Sequence, residues 1–243
     1  MEEVGSTVPQ EEKTLGGASK IINLFFEPKK VFASLKIKPT WLVPFIIVAI
    51  LGIGSFYFTY PLMMKQQVEK IRENEKIPDK QKQKIIETMT EKDHPPLWQL
   101  PFAPVGTLLV FAILAAVLFF VFNVLLGGDS TFRRVFSVFC YSSLIGIPSM
   151  VVKFPLTIMK QDINVQTSLA LLLSADSKDT FLYRVLSGFD IFTLWQVILI
   201  SIGMGVLYSY TTKKAFTVVF VLWVLLILGM SGLSSLLGGM FSF

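Results

Sequence analysis

The chain has 243 residues, 53% of them apolar, with a mean hydropathy of +0.63. That is more apolar material than a water-soluble domain of this length needs for its core, so the composition argues for a bilayer as the solvent. The net charge of +5 raises the question of nucleic-acid binding, but the basic residues flank apolar runs, which is a membrane-topology pattern, and no nucleic-acid partner is expected.

Residues 1–20 are polar and carry scattered Gly and Ser, so they read as a disordered cytoplasmic tail. No oily block resembling a signal peptide occupies the first 15 to 30 or so residues, and the first span is expected to be retained. Residues 21–40 read as an amphipathic interfacial helix. In "FFEPKKVFASLKIKPTW", Glu27-Pro28 starts the helix, Val31, Phe32 and Leu35 share one face, and Lys29, Lys30, Lys36 and Lys38 take the other. Two readings fit: a helix in the headgroup layer with its lysines toward anionic lipid, or the ordinary basic flank of a span. Pro39 ends it, Thr40 is placed to cap the next helix, and Trp41 sits at interface depth.

Five apolar runs are long enough to cross a hydrocarbon core, at about 41–60, 104–126, 135–152, 191–209 and 215–237. The fold class is therefore all-α, a polytopic membrane bundle with five transmembrane helices. The insert 65–96 carries eight basic and seven acidic residues up to His94. Met64, Val68 and Ile71 make one thin stripe and Ile85, Ile86 and Met89 another, with Pro78-Asp79 between them, so the insert reads as a charged extracytoplasmic helical hairpin. His94 has no ligand set at metal spacing, and no metal or cofactor is expected. The run Leu169 to Leu173 is too short to cross, and with Phe181, Leu182, Val185, Leu186 and Phe189 it reads as interfacial or re-entrant helix on the outer side. Cys140 is the single cysteine, so no intrachain disulfide forms; it is expected to pack as a small apolar residue.

Short basic loops mark the cytoplasmic side. The lysines before the first span, Arg133 and Arg134 between spans two and three, and Lys213 and Lys214 between four and five agree on a cytoplasmic N-terminus. The two corners also align: "TFRRVFSV" and "TTKKAFTV" match Thr131 to Thr211 and Arg133/Arg134 to Lys213/Lys214. A parallel repeat or convergence under the positive-inside rule would each produce this. In "LLGGDSTFRR" the two glycines end the second span and Asp129 or Ser130 is placed to cap the third. Neither a phosphate loop nor a readable nucleophile and base is present, and no enzyme is expected.

Lys153 ends the third span and Asp190 begins the fourth in the same leaflet, so a structural ion pair is expected, with Asp190 also suited to the N-terminus of its helix. Ser201 with Gly205, and Ser231 with Ser235 and Gly239, recur at every fourth position and permit close helix approach.

Four stretches together resemble the Yip family, membrane proteins first known as interactors of Ypt/Rab GTPases. They are "FFEPKKVFASLKIKPTWLVPFI", "LLGGDSTFRRVFSVFCYSSL", "TSLALLL" and "FDIFTLWQVILISIGMGVLYSYTTKKAF". The resemblance implies a five-span protein with a cytoplasmic N-terminus and a non-enzymatic role in membrane organisation or partner assembly. The Asp-Leu-Tyr-Gly-Pro-like motif of eukaryotic members is missing, so Rab-type GTPase binding is not carried over. The short tail and charged hairpin are similar to prokaryotic members, some of which are associated with ABC-type exporters in the cell membrane. The first expectation is thus a membrane scaffold or accessory subunit. It would meet membrane lipids or other membrane proteins through Lys29, Lys30, Lys36, Lys38, Arg133, Arg134, Lys213 and Lys214. The competing one is a small-solute transporter or channel with Asn123, Tyr141 and Gln196 along a path.

Overall fold

A computed structural model describes residues 15–74, 77–90, 94–163, 165–174, 177 and 180–236. The elements in chain order are α1 (Gly17–Phe26), α2 (Pro28–Ile37), α3 (Leu42–Glu73), α4 (Asp79–Thr90), α5 (Phe102–Phe120), α6 (Phe132–Ser142), α7 (Gly146–Lys160), α8 (Phe181–Ser187), α9 (Ile191–Tyr208) and α10 (Thr212–Leu236). Among the described residues the only strand-like feature is an isolated antiparallel bridge between Ser168 and Asp190.

Five helical stretches are long and apolar enough to cross a membrane: Leu42–Glu73, Leu97–Leu125, Phe132–Lys160, Ile191–Tyr208 and Thr212–Ser235. The first has 32 residues, about 48 Å at 1.5 Å per residue. That exceeds the roughly 30 Å of a hydrocarbon core, so its polar C-terminal part continues out of the bilayer past Pro61. α4 begins at Asp79, directly after Pro78, and folds back on α3. His94 stacks on Tyr57 with ring centroids 5.1 Å apart. The third stretch is α6 and α7 joined by a 3₁₀ turn, Ser143–Ile145. Pro148, in the first turn of α7, cannot donate back to Leu144, and the helix tightens there.

α6 is the centre of the bundle. Every residue from Val135 to Ile145 is buried, which a helix achieves only when neighbours cover it all round. Those neighbours include α2, α5 and α9, while α10 packs on α9 and α3 on α5. The rim helices turn apolar side chains outward: Ile46 and Ile50 on α3, Ile113 and Val117 on α5, Val221 and Leu225 on α10 are all exposed. A hydrocarbon solvent accepts such faces, and each helix satisfies its own backbone.

Several local expectations need correction. Helix begins at Gly17, inside the stretch read as tail, because Leu24 is buried and Leu15 N donates to Ser34 Oγ at 3.1 Å, folding α1 onto α2. Residues 1–14 of that tail lie outside the described residues. The apolar face of α2 does not lie against lipid: Val31, Phe32 and Leu35 are fully buried, and α2 packs on α9 and α6. Thr40 caps nothing; its hydroxyl is taken by Tyr141 OH at 3.3 Å and Lys20 Nζ at 3.4 Å. The residue at the start of α6 is Thr131, not Asp129 or Ser130. On α10 the buried serines are Ser231 and Ser234, whereas Ser235 is exposed and Gly239 lies outside the described residues. Ser201 and Gly205 on α9 are both buried.

Candidate docking surface

The ends of α5 and α9 and the starts of α6 and α10 gather at one end of the bundle; α2 reaches it with its C-terminal end, where Lys36 meets the end of α9, while the α1–α2 corner lies farther along, the Phe25 ring 6.0 Å from Trp195. Side chains tie them together. α5 runs into a π-helical turn, Val121–Leu125, which aims Asn123 inward. Its Nδ2 donates to Ser130 O at 3.0 Å, and its Oδ1 accepts from Tyr208 OH. Tyr210 OH, beyond the end of α9, donates to Leu126 O at 3.0 Å. The rings of Phe122, Tyr208 and Tyr210 pack between the two corners.

The glycine pair is explained by this contact. Gly127 takes φ +65, the left-handed turn that leaves the helix, and a Cβ on Gly128 would sit 2.4 Å from the Tyr208 ring and 2.7 Å from Phe122 O. The second corner makes its turn at Ser209, φ 55. Aligned positions behave alike: Ser137 Oγ bonds to Arg133 O at 2.7 Å and Thr217 Oγ1 to Lys213 O at 3.1 Å. Val135 and Ala215 are both fully buried.

The predicted basic residues divide by environment. Lys29, Lys30, Lys38, Arg133, Lys213 and Lys214 are exposed and Arg134 is half-buried. Lys30 pairs with Glu27 at 2.8 Å, and Lys214 Nζ lies 3.8 Å above the Tyr210 ring. Lys36 is spent inside the fold: its Nζ donates to Val206 O and Ser209 Oγ, both at 3.1 Å. It thereby satisfies one of the orphan carbonyls at the end of α9 and sits at the negative end of that helix. Lys20, in the segment read as tail, is 3% exposed, and no carboxylate among the described residues pairs with it. Burial, and secondarily the charge of Lys38, holds its ammonium below the usual lysine range. The one signal available was Lys20 and Leu24 four residues apart on a single helix face.

Arg133/Arg134 and Lys213/Lys214 occupy the first turns of α6 and α10. A cation there opposes the helix dipole by about 0.3 to 1 kcal/mol, so helix stability does not account for their placement.

At the other end of α9, Asp190 is 7% exposed. Its Oδ1 accepts the backbone N–H groups of Phe192 at 2.9 Å and Thr193 at 3.3 Å; its Oδ2 accepts from Thr167 Oγ1 and lies 3.0 Å from Lys153 Nζ. The three polar residues considered for a path are dispersed. Asn123 is locked at the basic corner, Tyr141 is 1% exposed and bonded to Thr40, and Gln196 Nε2 donates to Ser143 Oγ at 3.0 Å in mid-bundle. Among the described residues no three His, Cys, Asp or Glu side chains converge as metal ligands.

The model of the Yip1 domain matches residues 22–233, most of the chain. The chain belongs to the Yip1 family. This is a family of multi-span membrane proteins, and the five spanning helices, the corner at Gly127-Gly128 and the α9–α10 hairpin all fall within the matched Yip1 domain. No curated protein and no solved structure gave a match.

Proposed function

We propose that this Yip1-domain protein is a non-enzymatic membrane scaffold or accessory subunit in a prokaryotic cytoplasmic membrane, with its N-terminus and basic corners in the cytoplasm. The observation that carries the reading is the paired cations in the first turns of α6 and α10, on two corners that the Asn123–Tyr208 and Tyr210–Leu126 contacts join. They stand where they weaken their own helices, on a frame stiffened by aromatic packing, and their side chains are exposed except for the half-buried Arg134. Exposed cations fixed in this way suit anionic headgroups and an acidic face on a partner. A partner of ABC-export type is the assignment we test. The separate engagement of Asn123, Tyr141 and Gln196 supports a scaffold over a solute path.

The test is purification of the full chain in mild detergent with identification of co-purifying subunits, beside a variant carrying Arg133→Glu, Arg134→Glu, Lys213→Glu and Lys214→Glu. An exporter subunit retained by the native chain and lost from the variant is expected. Equal recovery from both, or labelling of a thiol placed at residue 213 from the cell exterior, overturns the reading.

A further inference from the structure

Away from the basic corners, two hollows meet on the side of the bundle where α9 and α10 run together. The first, about 430 Å³, is bounded by α7, α8, the N-terminal end of α9 and the far half of α10. Its polar lining includes Lys153, Gln166, Arg184, Asp190 and Ser231. Asp190 is fully engaged by its cap, Thr167 and Lys153. Arg184 is not: its Nε is buried and finds no hydrogen-bond partner, and it makes no ion pair among the described residues. Two cations and one acid line the hollow, leaving one positive charge uncompensated, and the unsatisfied donor belongs to that same Arg184 guanidinium. Such a group favours an anion, and a guanidinium and an ammonium lining one hollow present donors matched to phosphate oxygens.

The second hollow, about 480 Å³, shares Thr193, Trp223 and Leu226 with the first. Its walls are Leu118 of α5, Val197 and Ile200 of α9, and Val219 and Leu222 of α10, and no charged side chain lines it. On α10 the pair of hollows reaches from Ser231 to Val219, about 18 Å along the helix axis. That is comparable to one leaflet, half of a hydrocarbon core roughly 30 Å thick. A chamber carrying charged side chains at the end of the spans, opening into an apolar groove of leaflet length, has the shape of an amphiphile.

We propose that the two hollows form one binding site for an anionic phospholipid, with its phosphate held by Arg184 and Lys153 and an acyl chain lying in the groove between α5 and α10. A soluble anion would leave the groove unused, and a lipid of no net charge would leave the hollow's one excess positive charge standing. The site lies at the opposite end of α9 from the docking surface and does not depend on it.

The full chain, purified in mild detergent, is extracted and its bound lipids quantified by mass spectrometry, for the native protein and for Arg184→Gln, Arg184→Lys and Leu226→Trp. The native protein is expected to retain anionic phospholipid above its share of the membrane. Arg184→Gln lowers that retention about tenfold or more, the cost of losing a charged hydrogen-bond donor. Arg184→Lys keeps part of it, and Leu226→Trp, which blocks the junction of the hollows, loses it with Arg184 intact. Added anionic phospholipid raises the melting temperature of delipidated native protein, and inorganic phosphate does not. Equal anionic-lipid retention by the native protein and Arg184→Gln overturns the proposal. So does an equal rise with inorganic phosphate, which assigns the chamber to a soluble anion; if Arg184→Gln does not fold, the Leu226→Trp comparison and this titration decide.

Discussion

The two ends of the bundle are built on different terms. At the basic end the helices are joined by short corners and stitched by Asn123, Tyr208, Tyr210 and Lys36. Toward the other end the same helices part, leaving hollows of about 410 Å³ between α3 and α7 and about 430 Å³ between α7, α8 and α10. Lipid gives apolar helices no reason to prefer one another, so they close up where polar side chains and small residues hold them and separate elsewhere. The basic end has those residues in its corners; at the far end Asp190 ties α7 to α9, and Gln66 Nε2 donates to Asp162 Oδ1 at 2.9 Å.

Asp190→Ala is therefore the change with the largest expected effect. It removes a helix cap and leaves Lys153 without its partner, and a cost of about 3 kcal/mol is expected, near the lower bound for breaking a buried pair because Lys153 is partly exposed. Thermal unfolding in detergent measures it, and Lys153→Met combined with Asp190→Asn should recover part of the loss. A melting temperature unchanged by Asp190→Ala would show that the far end is held by something else. Gly128→Ala is the matching test of the stitched end. The added methyl meets the Tyr208 ring and backbone at Phe122, and about 1 to 3 kcal/mol of overpacking follows. Full stability in that variant would mean that the corner is looser than its contacts imply.

How much of this was readable beforehand depends on whether a residue's solvent is set locally. The spanning helices were, because runs such as "LLVFAILAAVLFFVF" are apolar beyond the needs of any soluble core. Lys153 and Asp190, 3.0 Å apart, bound neighbouring spans at one end, and charges there have few places to go. The burial of α2 was not readable, since an amphipathic helix carries the same pattern whether its apolar face meets lipid or protein. Thr40 and Lys36 escaped for a related reason: a hydroxyl before a helix and a lysine on a polar face look local, and their partners Tyr141 and Ser209 are far away in sequence. Arg184 sat among apolar residues in a segment between spans, with nothing in its neighbourhood to show that its Nε would be enclosed.

Tyr208→Phe sharpens the comparison at smaller scale. It deletes the hydroxyl that bonds Asn123 and leaves the ring packing against Phe122 in place. About 1 kcal/mol is expected from the lost hydrogen bond, seen as a lowered melting temperature with unchanged lipid retention. A loss of several times that would mean that the hydroxyl, rather than the ring, joins the corners.

The smallest effect is expected at Lys20, and it is read as a pH dependence. Its ammonium titrates below the ordinary 10.5 in the folded protein, chiefly because it is buried and secondarily because of Lys38. Between the folded value and 10.5 the unfolded chain therefore binds more protons than the folded one, and stability rises with pH across that window. Below the window both states are charged and the folded one bears the cost of burying the charge. Lys20→Met removes that cost, so the variant should be the more stable below the window, with its advantage shrinking as pH climbs toward 10.5. Parallel melting curves for the two proteins across the alkaline range check this. A difference that stays constant with pH would mean that the Lys20 ammonium is as well solvated folded as unfolded, and that α1 does not hold it away from water.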